Sequence, residues 1–245
     1  MMKTLSPMRV AKQVLLGTVL GDSSLGKVSD TKARYRCGHS VWQFEYLMHK
    51  LQLLQPLVGQ YELRVRMCRS WSTNPFFGVR TKSSKYLKHI YDDCYIDGEK
   101  GVRINVLRRL TPIGIAFWYM DDGCLGTWKN NISSVGISTH GFGREQSQLI
   151  CDYFKEKYFI DFYVTKGGGI KTTNGSKANA IKFIDIIRDY VPQCMDYKIN
   201  PESSRKTRRP DIKDGDVLRT LQKCKELFRN ERAFQDVENK LASWK

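Results

Sequence analysis

The sequence lacks the features that mark several common classes of protein. No apolar run approaches the roughly 18 to 20 residues that a membrane-spanning helix needs, and residues 1–12 show no secretory pattern. There is no GxxxxGK(S/T) loop for nucleotide hydrolysis, and the four histidines do not have the HExxH spacing of a zinc hydrolase. We therefore expect neither a membrane protein nor either of these hydrolase classes.

The cysteines form no paired pattern. Seven are scattered along the chain without a CxxC pair, which argues against a zinc ribbon. Dispersed single cysteines are typical of reduced, mostly buried thiols. We therefore expect an intracellular location, in an organelle or in bacterial or phage cytoplasm, and no secretion.

Acidic residues are few relative to basic ones. The chain has 41 Lys and Arg against 25 Asp and Glu, a formal net charge of +16. Such an excess favours a polyanionic partner, either nucleic acid or an anionic membrane surface, although a protein can also be basic without one. With 245 residues and 41% apolar composition, the chain can form one large domain or two smaller ones.

The chain contains an internal duplication. Residues 9–22 and 111–123 are both predicted helices that end in an acid followed by small residues. In the second, Thr111 is the expected N-cap, Pro112 occupies the first helical position and Gly123 ends the helix. After the first helix come predicted strands at 32–39, 61–69 and 76–81 and helices at 41–54 and 83–95. After the second come predicted strands at 125–128, 133–138, 161–166 and 169–173 and helices at 143–158 and 176–190. The second half is therefore predicted to be αββαββα, and we expect the same order in the first half, where three of the four strands are located.

The halves and the tail suggest three parts. We expect one repeat domain over 1–105, a second over 106–200, and a basic arm with a helical extension over 201–245. The arm clusters Arg205, Lys206, Arg208 and Arg209, and apolar residues at helical spacing after it predict one or two amphipathic helices. These helices either cap the core, or the arm contacts phosphates.

Several predicted strands alternate basic with apolar residues. Because side chains on a strand alternate between its faces, each such strand has an apolar side and a cationic side. The cationic side is either a solvated outer face or a surface for nucleic acid. The candidate DNA contacts are Lys32, Arg34, Arg36, Arg64, Arg66, Arg80, Lys82, Lys166 and Lys171.

Two acids occupy the same place in the duplicated helices. Gly17 and Gly21, four residues apart, let another helix approach closely. If the helices ending at Asp22 and Asp122 pack in parallel, their carboxylates converge at two negative helix ends and repel each other. Mg²⁺ or Mn²⁺ would relieve that repulsion and could activate water for phosphoryl displacement. Either acid alone would be an ordinary turn residue.

The two motifs carry a family resemblance. LLGTVLGDS (15–23) and IAFWYMDDG (115–123), the latter preceded by Leu-Thr-Pro, resemble two copies of the LAGLIDADG homing endonuclease signature. The resemblance covers about residues 8–200 and is to the single-chain, two-repeat branch of the omega-intron endonuclease type. It implies an α+β fold of two pseudo-symmetric αββαββα domains that form a DNA-binding saddle, in a monomer.

The resemblance also implies an activity. Family members make metal-dependent double-strand breaks with 3′ overhangs in a long asymmetric site of about 20 bp, roughly two turns of duplex. Cleavage promotes the mobility of the intron or gene that encodes the enzyme. Two alternatives keep the same fold: an RNA maturase that assists splicing of a group I intron, with the host intron RNA as partner, and a DNA-binding regulator that does not cleave. Both paired acids are present, which favours the enzyme.

The resemblance finally assigns site residues. It implies that Asp22 and Asp122 bind Mg²⁺, with Mn²⁺ as a substitute, and that Gly21 and Asp121 lie beside the metals. Asp121 replaces a usual small residue, so it is either a supporting acid or simply exposed. The resemblance implies one catalytic lysine per half, Lys100 and Lys198; the alternative for each is a solvated surface lysine.

Overall fold

The computed structural model describes residues 5–67, 75–173, 177–206, 214–230 and 232–242. The helices are α1 Pro7–Leu20, α2 Phe44–Val58, α3 Lys85–Cys94, α4 Ile104–Arg109, α5 Pro112–Asp122, α6 Arg144–Tyr158, α7 Lys177–Ile187, α8 Pro201–Lys206, α9 Asp214–Lys223 and α10 Arg232–Ala242. The strands are β1 Ser24–Ser29, β2 Lys32–Ser40, β3 Tyr61–Met67, β4 Pro75–Thr81, β5 Tyr95–Ile96, β6 Glu99–Lys100, β7 Gly123–Trp128, β8 Asn131–Ile137, β9 Phe162–Val164 and β10 Ile170–Thr172. None of the helices in these ranges is long and apolar enough to span a membrane.

The duplicated element order is confirmed. The order α1-β1-β2-α2-β3-β4-α3 is repeated as α5-β7-β8-α6-β9-β10-α7. One strand, β1, was not located from the sequence because SLGKVS contains one residue of a strongly strand-forming type, Val28. It forms through antiparallel pairing with β2, which places Leu25 opposite Tyr35.

The chain divides into two compact units. The first contains Met1–Lys12, Ser23–His89 and Arg209–Lys245, and the second contains Gln13–Asp22 and Ile90–Arg208. The end of α1 thus belongs to the second unit. The C-terminal helices belong to the first. The domain limits at 105 and 200 stay a prediction.

The first unit contains a four-stranded antiparallel sheet in the order β1-β2-β4-β3. The predicted alternation in β2 and β3 is confirmed, since Tyr35 and Leu63 are fully or almost fully buried while Arg36 and Arg64 are exposed. Phe44 of α2 packs against the apolar face, with its ring centroid 4.6 Å from that of Phe77 in β4. The other face of the sheet carries the cations.

The C-terminal helices pack beside β3, the edge strand of this sheet. Phe228 pairs with Tyr61 in a parallel bridge, and Val217, Leu221 and Val237 are buried. The prediction of amphipathic helices is confirmed, and they cover the sheet edge. Of the basic arm, Arg205 and Lys206 lie in the backbone of α8, whereas residues 207–213, with Arg208 and Arg209, lie outside the described residues.

The second unit contains a matching sheet in the order β7-β8-β10-β9. The ring of Phe154 in α6 lies 5.0 Å from Phe162 of β9 and 5.7 Å from Phe183 of α7, measured between centroids. Gly168, in the turn between β9 and β10, has a φ of +87°, which favours glycine. The predicted α+β fold is confirmed, since each unit contains helices and a four-stranded antiparallel sheet. That the two domains form a DNA-binding saddle stays a prediction.

The cysteines within the described ranges are all free thiols. Four of them are buried: Cys37, Cys94, Cys151 and Cys224. Burial raises the pKa of the Cys94 thiol to about 12, so this thiol is protonated and unreactive at neutral pH. This agrees with the predicted reduced state.

Candidate functional site

The site is built where the end of α1 meets α5, inside the second unit. A side chain at Gly17 would overlap the backbone carbonyl of Gly114 in α5, so the two helices touch backbone to backbone. A Cβ at Gly21 would lie 2.5 Å from the Cβ of Asp121. The predicted role of Gly17 and Gly21 in close helix approach is therefore confirmed, with Gly114 as the contact that the sequence did not reveal.

Gln13 fixes the start of α5 against α1. Its Nε2 donates to the carbonyl of Arg109 at 3.0 Å, and its Oε1 accepts from the backbone N–H of Thr111 at 2.8 Å. Pro112 occupies the first turn as predicted. The prediction that Thr111 caps the helix is correct in position but wrong in chemistry, because its side chain makes no capping hydrogen bond. The long-range contacts of Gln13 hold this end of α5 instead.

The acids converge at the C-terminal ends of these helices. The backbone N–H of Asp22 donates to Oδ2 of Asp121 at 3.2 Å, and carboxylate oxygens of these two residues lie within 4.8 Å of each other. Asp121 is half-buried. It is therefore not the simply exposed residue that the sequence left open as an alternative.

The pKa of Asp122 is strongly shifted. Burial, and then the negative charges of Asp22 and Asp121, raise the pKa of its carboxyl group to about 7. Lys100 and Lys198 oppose that rise. A carboxylate pair in a partly dehydrated site is stabilised by an added cation.

Each predicted lysine binds a backbone carbonyl beside one acid. Nζ of Lys100 donates to the carbonyl of Gly21 at 2.6 Å, and Nζ of Lys198 donates to the carbonyl of Gly123 at 2.7 Å. Burial lowers the pKa of both ammonium groups, against the effect of the nearby acids. The alternative of solvated surface lysines is therefore excluded by their burial and their partners.

Tyr119 is a site residue that the sequence did not single out. Its hydroxyl donates to the carbonyl of Lys198 at 2.8 Å. Its ring packs where any side chain at position 123 would lie. Gly123 ends α5 as predicted, but with a φ of −82°, so the glycine is needed for space and not for left-handed backbone. A buried tyrosine in an apolar helix gave no signal of this role.

The donor atoms fit a divalent cation. The site offers the carboxylates of Asp22, Asp121 and Asp122, and hard oxygen donors are those that Mg²⁺ and Mn²⁺ prefer. Two oxygens within 4.8 Å can share one cation at metal–oxygen distances of about 2.0–2.4 Å. The Gly21 carbonyl keeps a second lone pair beside its bond to Lys100.

The predicted DNA-contact residues are unevenly distributed. Most lie on the outer face of the first sheet, where Arg36 pairs with Arg80 across strands. The exposed ones in this unit are Lys32, Arg36, Arg64, Arg66 and Lys82, and the half-buried ones are Arg34 and Arg80. The second unit contributes Lys166, which is exposed, and Lys171, which is half-buried in β10.

Comparison with known proteins gives consistent results. The model of the LAGLIDADG DNA endonuclease family matches residues 12–183. DNA endonuclease I-ChuI of Chlamydomonas applanata is 29% identical over 210 residues, covering 77% of this chain and 94% of that protein. Protein RecA of Mycolicibacterium flavescens is 26% identical over 206 residues, and the match covers 46% of that protein, about half its length.

A solved structure shares the fold. The homing endonuclease I-WcaI bound to its DNA recognition sequence superimposes with a TM-score of 0.67 and 19% identity, over 80% of this chain and 88% of that chain. The match of the family model to most of the chain confirms the family predicted from the two motifs. The chain belongs to the LAGLIDADG DNA endonuclease family, whose activity is site-specific cleavage of DNA.

Proposed function

We propose that the chain is a divalent-metal-dependent endonuclease that cleaves both strands of one long DNA site. The observation that carries the proposal is the grouping of Asp22, Asp121 and Asp122 at two touching helix ends, with a lysine on each adjacent carbonyl. Asp121 and Asp122 are half-buried and Asp22 is exposed beside them, and grouping three like charges raises the free energy of the metal-free protein. Such a cluster is typical of a functional site.

Asp22 and Asp122, supported by Asp121, would hold Mg²⁺ or Mn²⁺. A bound divalent cation supplies an activated water and neutralises charge at the scissile phosphate. Lys100 and Lys198 hold their protons at Nζ against backbone carbonyls, so their positive charges are fixed in place. Fixed charges stabilise a phosphorane-like transition state without having to reorganise.

The outer face of the first sheet supports DNA as the partner. Arg36 and Arg80 lie opposite each other on neighbouring strands, and the basic residues of this face outnumber its acids, so the face attracts an anion. The solved relative I-WcaI is described as bound to its DNA recognition sequence. Phosphate contacts would supply affinity, and base-edge contacts would supply specificity. The proposal includes a monomeric enzyme, 3′ overhangs, a site of roughly 20 bp, and mobility of the encoding intron or gene.

A plasmid cleavage assay tests the proposal. The substrate carries the host sequence without the inserted element, and we expect linear product with Mg²⁺ and none with EDTA. Asp22→Asn or Asp122→Asn should abolish cleavage but preserve binding in Ca²⁺. Asp152→Asn, an exposed acid of α6, is the matched control and should cleave normally. Normal cleavage by both site variants would show that the assigned acids are wrong.

A further inference from the structure

Glu62 is a lone acid among the cations of the first sheet. The strands β1, β2 and β4 contain no acidic residue, and β3 contains only this one. It lies opposite Arg80 in the register of β3 and β4. Arg80 in turn lies opposite Arg36 of β2. An acid at this place subtracts from the positive potential of the surface that is proposed to meet DNA.

Glu62 binds several guanidinium groups at once. Its Oε1 accepts from Arg80 at 2.7 Å, and from Nε and Nη2 of Arg64 at 3.1 and 3.0 Å. Its Oε2 accepts a longer bond from Arg229 at 3.4 Å. The hydrogen bonds from Arg80 and Arg64 lower the pKa of Glu62 to about 2, so the carboxylate is charged throughout the neutral range.

The geometry leaves the tips of the arginines accessible. Arg64 meets Glu62 with its Nε–Nη2 edge, so the opposite Nη1 end of its planar fork is directed elsewhere. The side chains of Arg64 and Arg80 remain 48% and 32% exposed, while Glu62 is 22% exposed. The side chain of Glu62 is thus less exposed than those of the two arginines that it contacts.

The C-terminal segment fixes the strand that carries Glu62. Asn230 hydrogen-bonds both backbone groups of Leu63, accepting at 3.0 Å and donating at 3.1 Å. The backbone N–H of Arg229 donates to the carbonyl of Tyr61 at 3.0 Å. Nζ of Lys240 donates to the carbonyl of Val65 at 2.9 Å. These contacts pair the open edge of β3 on both sides of Glu62 and bring Arg229 to it.

Stability alone does not account for this arrangement. Ion pairs at a partly solvent-exposed surface contribute little to folding, and a cationic surface without Glu62 would bind phosphate more strongly. Orientation does account for it, because an arginine held in place loses less side-chain entropy when it binds. A fixed fork is also the geometry with which arginine recognises O6 and N7 of guanine.

We propose that Glu62 is a specificity-determining residue that holds Arg64 and Arg80 for recognition of base edges, with guanine as the preferred base. The inference rests on the proposed function. In this role Glu62 weakens binding to arbitrary DNA and sharpens discrimination at one or two base pairs. Arg229 links that discrimination to the C-terminal segment.

Selection from a randomised DNA pool tests the inference. The full chain is used in Ca²⁺ as wild type, Glu62→Gln, Glu62→Asp and the control Glu156→Gln, an exposed acid of α6. We expect Glu62→Gln to lose preference at one or two adjacent positions by about 5- to 100-fold each, the range for one bidentate contact. Its affinity for arbitrary DNA should rise severalfold. Glu62→Asp keeps the charge but shortens the reach, so it should lose the preference without that rise.

The outcomes separate the two proposals. If wild type and Glu62→Gln select the same site with the same stringency, Glu62 has no such role, although the endonuclease proposal stands. Equal weakening at every position of the site would also overturn the role, since it would indicate general charge. If the wild type selects no site, the proposed function itself fails. Circular dichroism on each variant establishes that the fold is intact.

Discussion

Lys100 donates a 2.6 Å hydrogen bond to the carbonyl of Gly21, the residue immediately before Asp22. The second half repeats the relationship with a small shift, since Lys198 binds the carbonyl of Gly123, immediately after Asp122. Each lysine is thereby tied to the backbone next to one acid, while its charge acts on all three acids of the cluster. The duplicated sequence therefore builds two related half-sites within one cluster of acids.

Replacing one lysine should affect the strands unequally. Lys100 is tied to the residue beside Asp22, and Lys198 to the residue beside Asp122. We therefore expect Lys100→Met or Lys198→Met to slow cleavage of one DNA strand by about 100- to 1000-fold, the usual cost of removing one such group. A nicked intermediate should accumulate on a doubly labelled duplex. Lys155→Met, at an exposed position in α6, should leave both rates unchanged. Equal slowing of both strands would argue against separate half-sites.

The raised pKa of Asp122 makes the stability of the metal-free protein depend on pH. The carboxyl has a pKa of about 7 in the folded state and about 4 when unfolded. Between these values the folded state binds the extra proton, so stability falls as pH rises through this window. Asp122→Asn cannot ionise. We expect it to exceed wild type in unfolding free energy by about 1–3 kcal/mol at pH 8, and by less at pH 5.

Urea titrations in EDTA at the two pH values measure this difference. In excess Mg²⁺ at pH 8, wild type should have a higher unfolding free energy than Asp122→Asn, because the metal stabilises only the protein with an intact site. If wild type and Asp122→Asn differ in unfolding free energy by the same amount at pH 5 and pH 8, then burial of Asp122 does not control its ionisation.

The close contact of α1 and α5 predicts a large cost for one methyl group. Gly17→Ala places a Cβ on the backbone carbonyl of Gly114, which cannot rotate away. Overpacking of this kind costs about 1–3 kcal/mol, and the acids would move apart with the helices. Gly141→Ala is the matched control, since nothing lies within 4 Å of its Cβ. Equal unfolding free energies for these two variants would contradict the helix contact.

The edge contact of Asn230 predicts a smaller loss. In β3, the backbone N–H and carbonyl of Leu63 both hydrogen-bond to the side chain of Asn230. Asn230→Ala removes both bonds and should lower the free energy of unfolding by about 1–2 kcal/mol. Amide hydrogen exchange should accelerate at Leu63. Exchange in β7 of the second unit should not change. Asn239→Ala, at an exposed position of α10, serves as the control. Unchanged protection at Leu63 would mean that Asn230 does not hold the strand.

Local sequence accounts for much of this molecule. The acids at 22 and 122 and the two glycines of α1 were identifiable because duplication makes each copy evidence for the other. The lysines were assigned through the family resemblance, and the structure adds their carbonyl partners. Alternation of basic and apolar residues located the outer face of the first sheet.

Long-range contacts account for what was missed. Nothing in SLGKVS marks β1 as a strand until β2 is beside it. The bonds of Gln13 to Arg109 and Thr111 join residues almost a hundred positions apart. In the sequence of β3, Glu62 is one acid on a strand with two arginines. Its role as an acceptor appears only when Arg80 and Arg229 are brought to it by other elements.

Strand-resolved cleavage of the target by Asp22→Asn and Asp122→Asn, in Mg²⁺, tests the central claim most directly. Both variants should bind the site in Ca²⁺ as wild type does, and neither should produce a double-strand break, with rates at least about 1000-fold below wild type, a loss of about 4 kcal/mol in transition-state stabilisation. Double-strand cleavage at the wild-type rate by either variant would contradict the account of a metal site built from these two acids.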